Sequence, residues 1–282
     1  MVTILLTVMA VTALGYAFLL FRAARAASAL AVSPEGVALG AVTNFFDTLG
    51  IGSFAPTTAW IKLRKLIPDS HIPAVLIAGH ALPTITQGLI FVTLVQVDPV
   101  LLIACIAAAV VGALVGAPIA VKLPVKVIQM TVGIALLLAA AAFAAGNLGL
   151  MPGGGTATAL PPLSFGVALV GCFLAGAFMN VGIGFYAPLL AMFGLLGLAP
   201  VAVFPIMAGA GALMMPASSV RFLNSDRIDL KLVLSLALGG IPAVLLAAYV
   251  VKSLPLETLR WVVTAVVLYT AVVMLRSATK RA

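Results

Sequence analysis

The sequence predicts an all-α polytopic membrane protein built from two inverted repeats. Each repeat reads as one re-entrant broken-helix hairpin followed by three transmembrane helices, and one extra helix precedes the first repeat. Three observations carry this. Of 282 residues, 64% are hydrophobic and 8% charged, with a mean hydropathy of +1.29; soluble domains carry about 25% charge. A glycine–proline motif occurs twice inside apolar sequence, as Gly50-Ile51-Gly52-Ser53-Phe54-Ala55-Pro56 and Gly182-Ile183-Gly184-Phe185-Tyr186-Ala187-Pro188. The basic residues, finally, sort to one side only if the chain doubles back at both motifs.

The first apolar run, Val2 to Phe21, is long, has no basic start and is followed by Arg22 and Arg25. It reads as a retained helix, not a cleaved signal. Residues 1–33 form this extra N-terminal segment. Repeat one covers 34–146 and repeat two 163–277, leaving 278–282 as a tail. The repeat shows beyond the motif: Asp98 and Asp229 each open an apolar helix, and Pro124 and Pro255 follow each by 26 residues. Lys122 and Lys252 stand just before those prolines. Further apolar runs start at Ile72, Pro99, Val125, Val201, Leu230 and Leu256, each near the ~20 residues that span a bilayer. Residues 147–162, with Gly153-Gly154-Gly155 and Pro161-Pro162, read as the linker.

If each broken unit crossed the membrane outright, Arg22, Arg25, Arg221, Arg227, Lys231, Arg276, Lys280 and Arg281 would share one side. Lys62, Arg64, Lys65, Lys122, Lys126, Lys252 and Arg260 would take the other, leaving almost no bias. If each unit turns at its glycines and leaves by the face it entered, all but Lys252 and Arg260 gather on one side. The positive-inside rule selects this second arrangement. It has seven crossings, an external N-terminus, a cytoplasmic C-terminus and three crossings per repeat, so the halves are inverted. Gly36 to Leu49 as helix rises about 21 Å, past the midplane of a ~30 Å core and short of its far side.

Hairpins from opposite faces bring their tips together near the midplane. The half-helices after the tips start near Ser53 and Phe185. Their first N–H groups are unpaired at the positive end of the helix dipole, and facing helix N-termini suit an anion without buried lysine or arginine. The candidate substrate-binding residues are Asn44, Gly50, Gly52, Ser53, Asn180, Gly182, Gly184, Phe185 and Tyr186. Ser53 serves either as a helix cap or as a ligand donor. The same glycines also suit tight helix packing.

Asp47 is an acid inside an apolar segment, and an intramembrane carboxylate is a functional candidate by default. Its counterpart in repeat two is Met179. Two roles fit it: carrying a coupled proton, or capping backbone at the turn. His80, three residues before Pro83 with Gln87 two turns on, is the second proton-coupling candidate. Packing is the competing role for this histidine.

The net charge of +8 lies in short groups between apolar runs, which points to cytoplasmic loops and not to nucleic acid. Cys105 and Cys172 are isolated and read as small core residues. No cofactor is expected, no metal site, and no GxSxG, HExxH or paired-carboxylate pattern for an intramembrane enzyme. The expected partners are a small anionic substrate and the lipid bilayer. Oligomeric state is open, a homodimer being compatible with the sequence.

With its doubled Gly-Ile-Gly-x-x-Ala-Pro turn, the nearby asparagines and the duplicated apolar layout from Pro34 to Arg276, the chain resembles the sulfite exporter TauE/SafE family of membrane permeases. The resemblance implies transport of small sulfur-containing oxyanions such as sulfite or organosulfonates, and a multi-pass location in the bacterial inner (plasma) membrane. The leading expectation is a secondary transporter, an exporter, holding its anion at the two hairpin tips. The alternative is a proton- or metal-cation carrier using Asp47 and His80.

Overall fold

Helices account for the regular structure of a computed structural model that describes residues 1–150, 155–223, 225–250 and 256–279. Gly153, Gly154, Lys252, Pro255, Lys280 and Arg281 lie outside the described residues, as does the side chain of Arg260. The helices are α1 (Val2–Ala26), α2 (Pro34–Thr48), α3 (Phe54–Arg64), α4 (Ile72–Leu94), α5 (Pro99–Ala120), α6 (Val125–Asn147), α7 (Pro162–Met179), α8 (Tyr186–Leu195), α9 (Pro200–Leu223), α10 (Leu230–Val250) and α11 (Leu256–Thr279). The starts follow local chemistry. Asp98 Oδ1 accepts from the Leu101 N–H at 2.7 Å and Asp229 Oδ1 from the Leu232 N–H at 2.8 Å, each capping its helix. The breaks lie where the motif predicts them. Gly50 (φ 90°), Gly52 (φ 85°) and Gly182 (φ 89°) adopt the left-handed region that side chains with a Cβ resist.

Among the described residues, seven helices are long and apolar enough to cross a membrane: α1, α4 with the turn before it, α5, α6, α7, α9 and α10. The protein is a multi-pass membrane protein. Pro162–Met179 joins this set, although the sequence reads it as the first arm of a hairpin, while the expected crossing from Leu256 includes side chains outside those described. At 18 residues α7 rises about 27 Å.

Packing is unchanged in outline when the two halves are exchanged. Helix α2 packs on α10 and α7 on α5, each the partner from the other half, while α4 packs on α9 and α6 on α11. Small residues make the contacts. A Cβ on Gly40 would run into the Leu236 backbone, one on Gly239 into Val37, one on Gly112 into Phe173 and one on Gly176 into Ala109. Lipid supplies no hydrophobic drive between helices, so such backbone approach is what van der Waals attraction and interhelical packing require. The pairings fix direction too. Gly36 meets Leu232 and Gly40 meets Leu236, so α2 runs parallel to α10; Gly88 meets Ala208 while Gly211 meets Thr84, so α4 and α9 are antiparallel.

Both broken units fold back on themselves. Arg64 Nε, at the end of α3, donates to Glu35 Oε1 at the start of α2 at 2.8 Å, and Trp60 Nε1 donates to the same oxygen at 3.0 Å. In the second unit the chain after α8 pairs with the chain before α7: Ala199 N–H donates to Ala157 O at 2.8 Å and Gly155 N–H to Leu198 O at 3.2 Å. Asp98, beyond the far end of α4, donates its N–H to Thr158 O in that same segment at 2.9 Å. Near the start of α4, Asp69 accepts from Lys62 Nζ at 2.5 Å and from Gln129 Nε2 at 2.7 Å. Arg227 Nη1 donates to Leu123 O at 2.7 Å, joining two further loops.

Candidate functional site

The two tips meet each other. A Cβ on Gly52 would stand 3.6 Å from Tyr186 Cβ, and one on Gly184 would stand 3.5 Å from Phe54 Cβ. Phe54 and Tyr186 each open the helix after their own glycines. Each tip therefore offers its glycine to the first helical residue of the other. Between them lies a cavity of about 280 Å³. Asp47, Gly52, Ser53, Gly182, Gly184, Phe185 and Tyr186 line it, with Thr84 of α4, Leu136 of α6 and Met215 of α9 among its other walls. No basic side chain is among the described lining residues.

A hydrogen-bonded chain runs behind the cavity and reaches it at Asp47 and Tyr186. Tyr186 OH donates to Gln87 Oε1 at 2.6 Å. Gln87 Nε2 donates to Asp47 Oδ2 at 2.6 Å and to Thr48 Oγ1 at 3.1 Å. Ser53 lines the cavity with the same Asp47. All five side chains are buried. Ser53 makes no side-chain cap on α3. The acid, not the serine, faces the N-terminal end of α3, where a negative group meets the favourable end of the helix dipole. Asp47 also ends in the last turn of α2, so it sits at the turn itself and not within a continuous helix.

Other candidates lie off the cavity. Asn44 Nδ2 donates to Gly40 O at 2.7 Å, and its Oδ1 lies 3.0 Å from His80 Nδ1. Asn44 thereby spends its amide on α2 and α4. His80 Nε2 lies 3.0 Å from Thr57 Oγ1. Because the Asn44 oxygen accepts, Nδ1 carries the proton and Nε2 accepts from the threonine, so a neutral His80 is fully partnered. Asn180 Nδ2 donates to Ala113 O and Gly176 O at 3.0 and 3.1 Å, tying α7 to α5. Gly50 packs against Phe204. These four do not line the cavity. Cys105 and Cys172 are free and buried, in the packed helices α5 and α7.

Gln87 and Thr84 were not among the sequence candidates. The available signal was spacing: Gln87 stands seven residues after His80 in an otherwise apolar helix, two turns on and so on the same face. At the bundle's end, Arg64 and then Trp60 hold the Glu35 carboxyl below its usual range.

Fold and cavity together define a helical membrane protein whose two broken-helix hairpins meet around a mostly apolar chamber. Residues 163–282 match the family model described as sulfite exporter TauE/SafE, which bears out the resemblance over the second half of the chain. The match covers repeat two, its C-terminal end included; the wider span expected from Pro34 rests on the internal repeat. Comparison with curated proteins and with solved structures gives no match.

Proposed function

We propose that the protein is a secondary transporter, not an enzyme, that exports a small sulfur-containing oxyanion across a bacterial inner membrane by alternating access around the two hairpin tips. The observation that carries this is the reciprocal packing of Gly52 on Tyr186 and Gly184 on Phe54 around the 280 Å³ cavity. The first N–H groups of α3 and α8 have no partner within their helices. The third residue of each is proline, which has no N–H to leave unpaired. Such helix starts favour an anion. In this reading the tip of repeat two, where Met179 replaces the acid, takes the anionic group, while Asp47 answers the tip of repeat one. An inside-negative potential favours anion exit by about 2.3 kcal/mol per charge per 100 mV, so export needs no coupled ion.

In the same reading the hairpins are re-entrant from opposite faces and the repeats are inverted. Several contacts support this. The Glu35–Arg64 pair closes hairpin one near the Asp69 end of α4, while the Ala157–Leu198 pairing closes hairpin two beside Asp98 at the opposite end. Straight crossings would make α4 and α9 parallel, but they are antiparallel. The end carrying Lys62, Arg64, Lys122 and Arg227 is the cytoplasmic one by the positive-inside rule.

Nothing favours the cation alternative. His80 is occupied by Asn44 and Thr57, and no cluster of three metal-binding side chains occurs among the described residues. Purified protein in liposomes, assayed for flux of sulfite, sulfoacetate, sulfate and Zn²⁺, tests the proposal. Saturable oxyanion flux is expected. Zn²⁺ flux without any oxyanion flux would overturn it.

A further inference from the structure

We propose that Gln87 is the coupling residue of this site: its amide reads the protonation state of Asp47 and passes it to Tyr186, latching the second hairpin tip while the acid is ionised. The inference rests on the carrier reading for its consequence, but not for its geometry. A glutamine amide has one accepting end and one donating end. Here the donating end serves Asp47 and Thr48 on α2, and the accepting end takes the Tyr186 hydroxyl from the other half of the molecule. That orientation suits an ionised carboxylate, which only accepts.

Adding a proton to Asp47 reverses the demand. A carboxylic O–H donates to Gln87 when the amide turns its oxygen toward α2. The turn places the NH₂ group opposite Tyr186, so the hydroxyl oxygen can only accept from it and the O–H proton loses the acceptor it had. Inside a buried site that loss is costly, so the tip at 182–186 is released. The groups facing Asp47 are Thr48 on α2, Ser53 at the tip of α3, Gln87 on α4 and Tyr186 on α8. Tyr186 is the only titratable one among them, and His80 is engaged with Asn44 and Thr57. Met215 of α9 is the apolar neighbour across the cavity.

The device exists in one half only. At the repeat offset of 132, Asp47, Gln87 and Tyr186 correspond to Met179, Ser219 and Phe54. Neither an acid nor an amide stands there, so the mirror-related contact does not respond to protons. Control is therefore asymmetric: a carboxylate of repeat one governs the tip of repeat two.

Hydrogen–deuterium exchange of residues 182–190 in the purified full chain, corrected for intrinsic rates, tests this between pH 4 and 8. Exchange is expected to rise by about tenfold or more on acidification as the segment opens locally. Asp47→Asn should remove the pH dependence. Tyr186→Phe, which deletes one hydroxyl, should give the fast, pH-independent rate while Gly182 and Gly184 stay intact; Gln87→Leu should match it. Wild-type exchange that does not change with pH, or a Tyr186→Phe profile identical to wild type, overturns the latch. Sulfite flux measured on the same samples separates the two ideas. Flux with pH-independent exchange refutes the latch alone, and pH-dependent exchange without oxyanion flux refutes the substrate.

Discussion

Arg64 Nε lies 2.8 Å from Glu35 Oε1, although 29 residues separate them and they occupy opposite ends of a helix pair. Laid out as one straight helix, that stretch would put them about 44 Å apart. The contact exists because three glycine-turn residues, Gly50, Ile51 and Gly52, reverse the chain. As an exposed ion pair it adds little stability. Its value is geometric, since it sets the two ends of hairpin one side by side.

Cysteines replacing Glu35 and Arg64 are therefore expected to be joined by a short bifunctional maleimide in intact membranes. Both should label from the cytoplasmic face. Labelling of the two from opposite faces would exclude a hairpin.

The Glu35 carboxyl gives a pH signature at the same place. Its folded value is lowered by Arg64 and Trp60, so the contact is complete above the ordinary carboxylate range and is lost as pH falls through the lowered value. Trp60 fluorescence in a Trp261→Phe background should titrate with a midpoint below the ~4.3 of free glutamate. A midpoint at or above that value would mean that Arg64 does not hold the acid.

At the tips, the two glycines should respond differently. Gly52 has φ 85°, so Gly52→Ala carries backbone strain of about 1–3 kcal/mol and should lower thermal stability. A Cβ on Gly184 meets Phe54 Cβ at an ordinary 3.5 Å, so Gly184→Ala should insert and fold normally. Gly184→Leu should fill the cavity and abolish flux with expression retained; unimpaired flux would remove the tips from the transport path.

Where α2 and α7 meet the opposite half, backbone approach leaves no room. Gly40→Ala and Gly176→Ala should each destabilise by about 1–3 kcal/mol or more through overpacking, read as a fall in Tm. Gly15→Ala and Gly166→Ala, with nothing within 4 Å of the added carbon, are the controls expected to be silent.

His80→Ala should cost about 1–3 kcal/mol by leaving Asn44 Oδ1 and Thr57 unpartnered in a buried site. Its flux–pH profile should keep the wild-type shape. A profile that flattens in this variant would make His80 a proton carrier after all.

Much of the architecture was legible from composition and spacing. The helix breaks, the starts at Asp98 and Asp229, and the doubling at an offset of 132 follow from residue types whose backbone preferences are local. The candidate cavity was legible in part. Gly52, Ser53, Gly182, Gly184, Phe185 and Tyr186 flank the predicted breaks and do line it. Asn44 and Asn180 looked equally well placed, yet their amides are consumed by backbone carbonyls of α2, α5 and α7. Whether a buried amide faces a cavity or a neighbouring helix depends on rotation about the helix axis, which packing alone sets.

The sequence by itself determined that this chain lives in a membrane, that it repeats, and where its helices must stop, because hydropathy and glycine dihedrals are properties of short segments. Only the tertiary structure decided what meets at the stops. Gln87 reaches both Asp47 and Tyr186, 40 residues behind and 99 ahead, because α4 packs between the two halves. No local rule relates residues so far apart; the close approach of glycine-lined helices from opposite halves does.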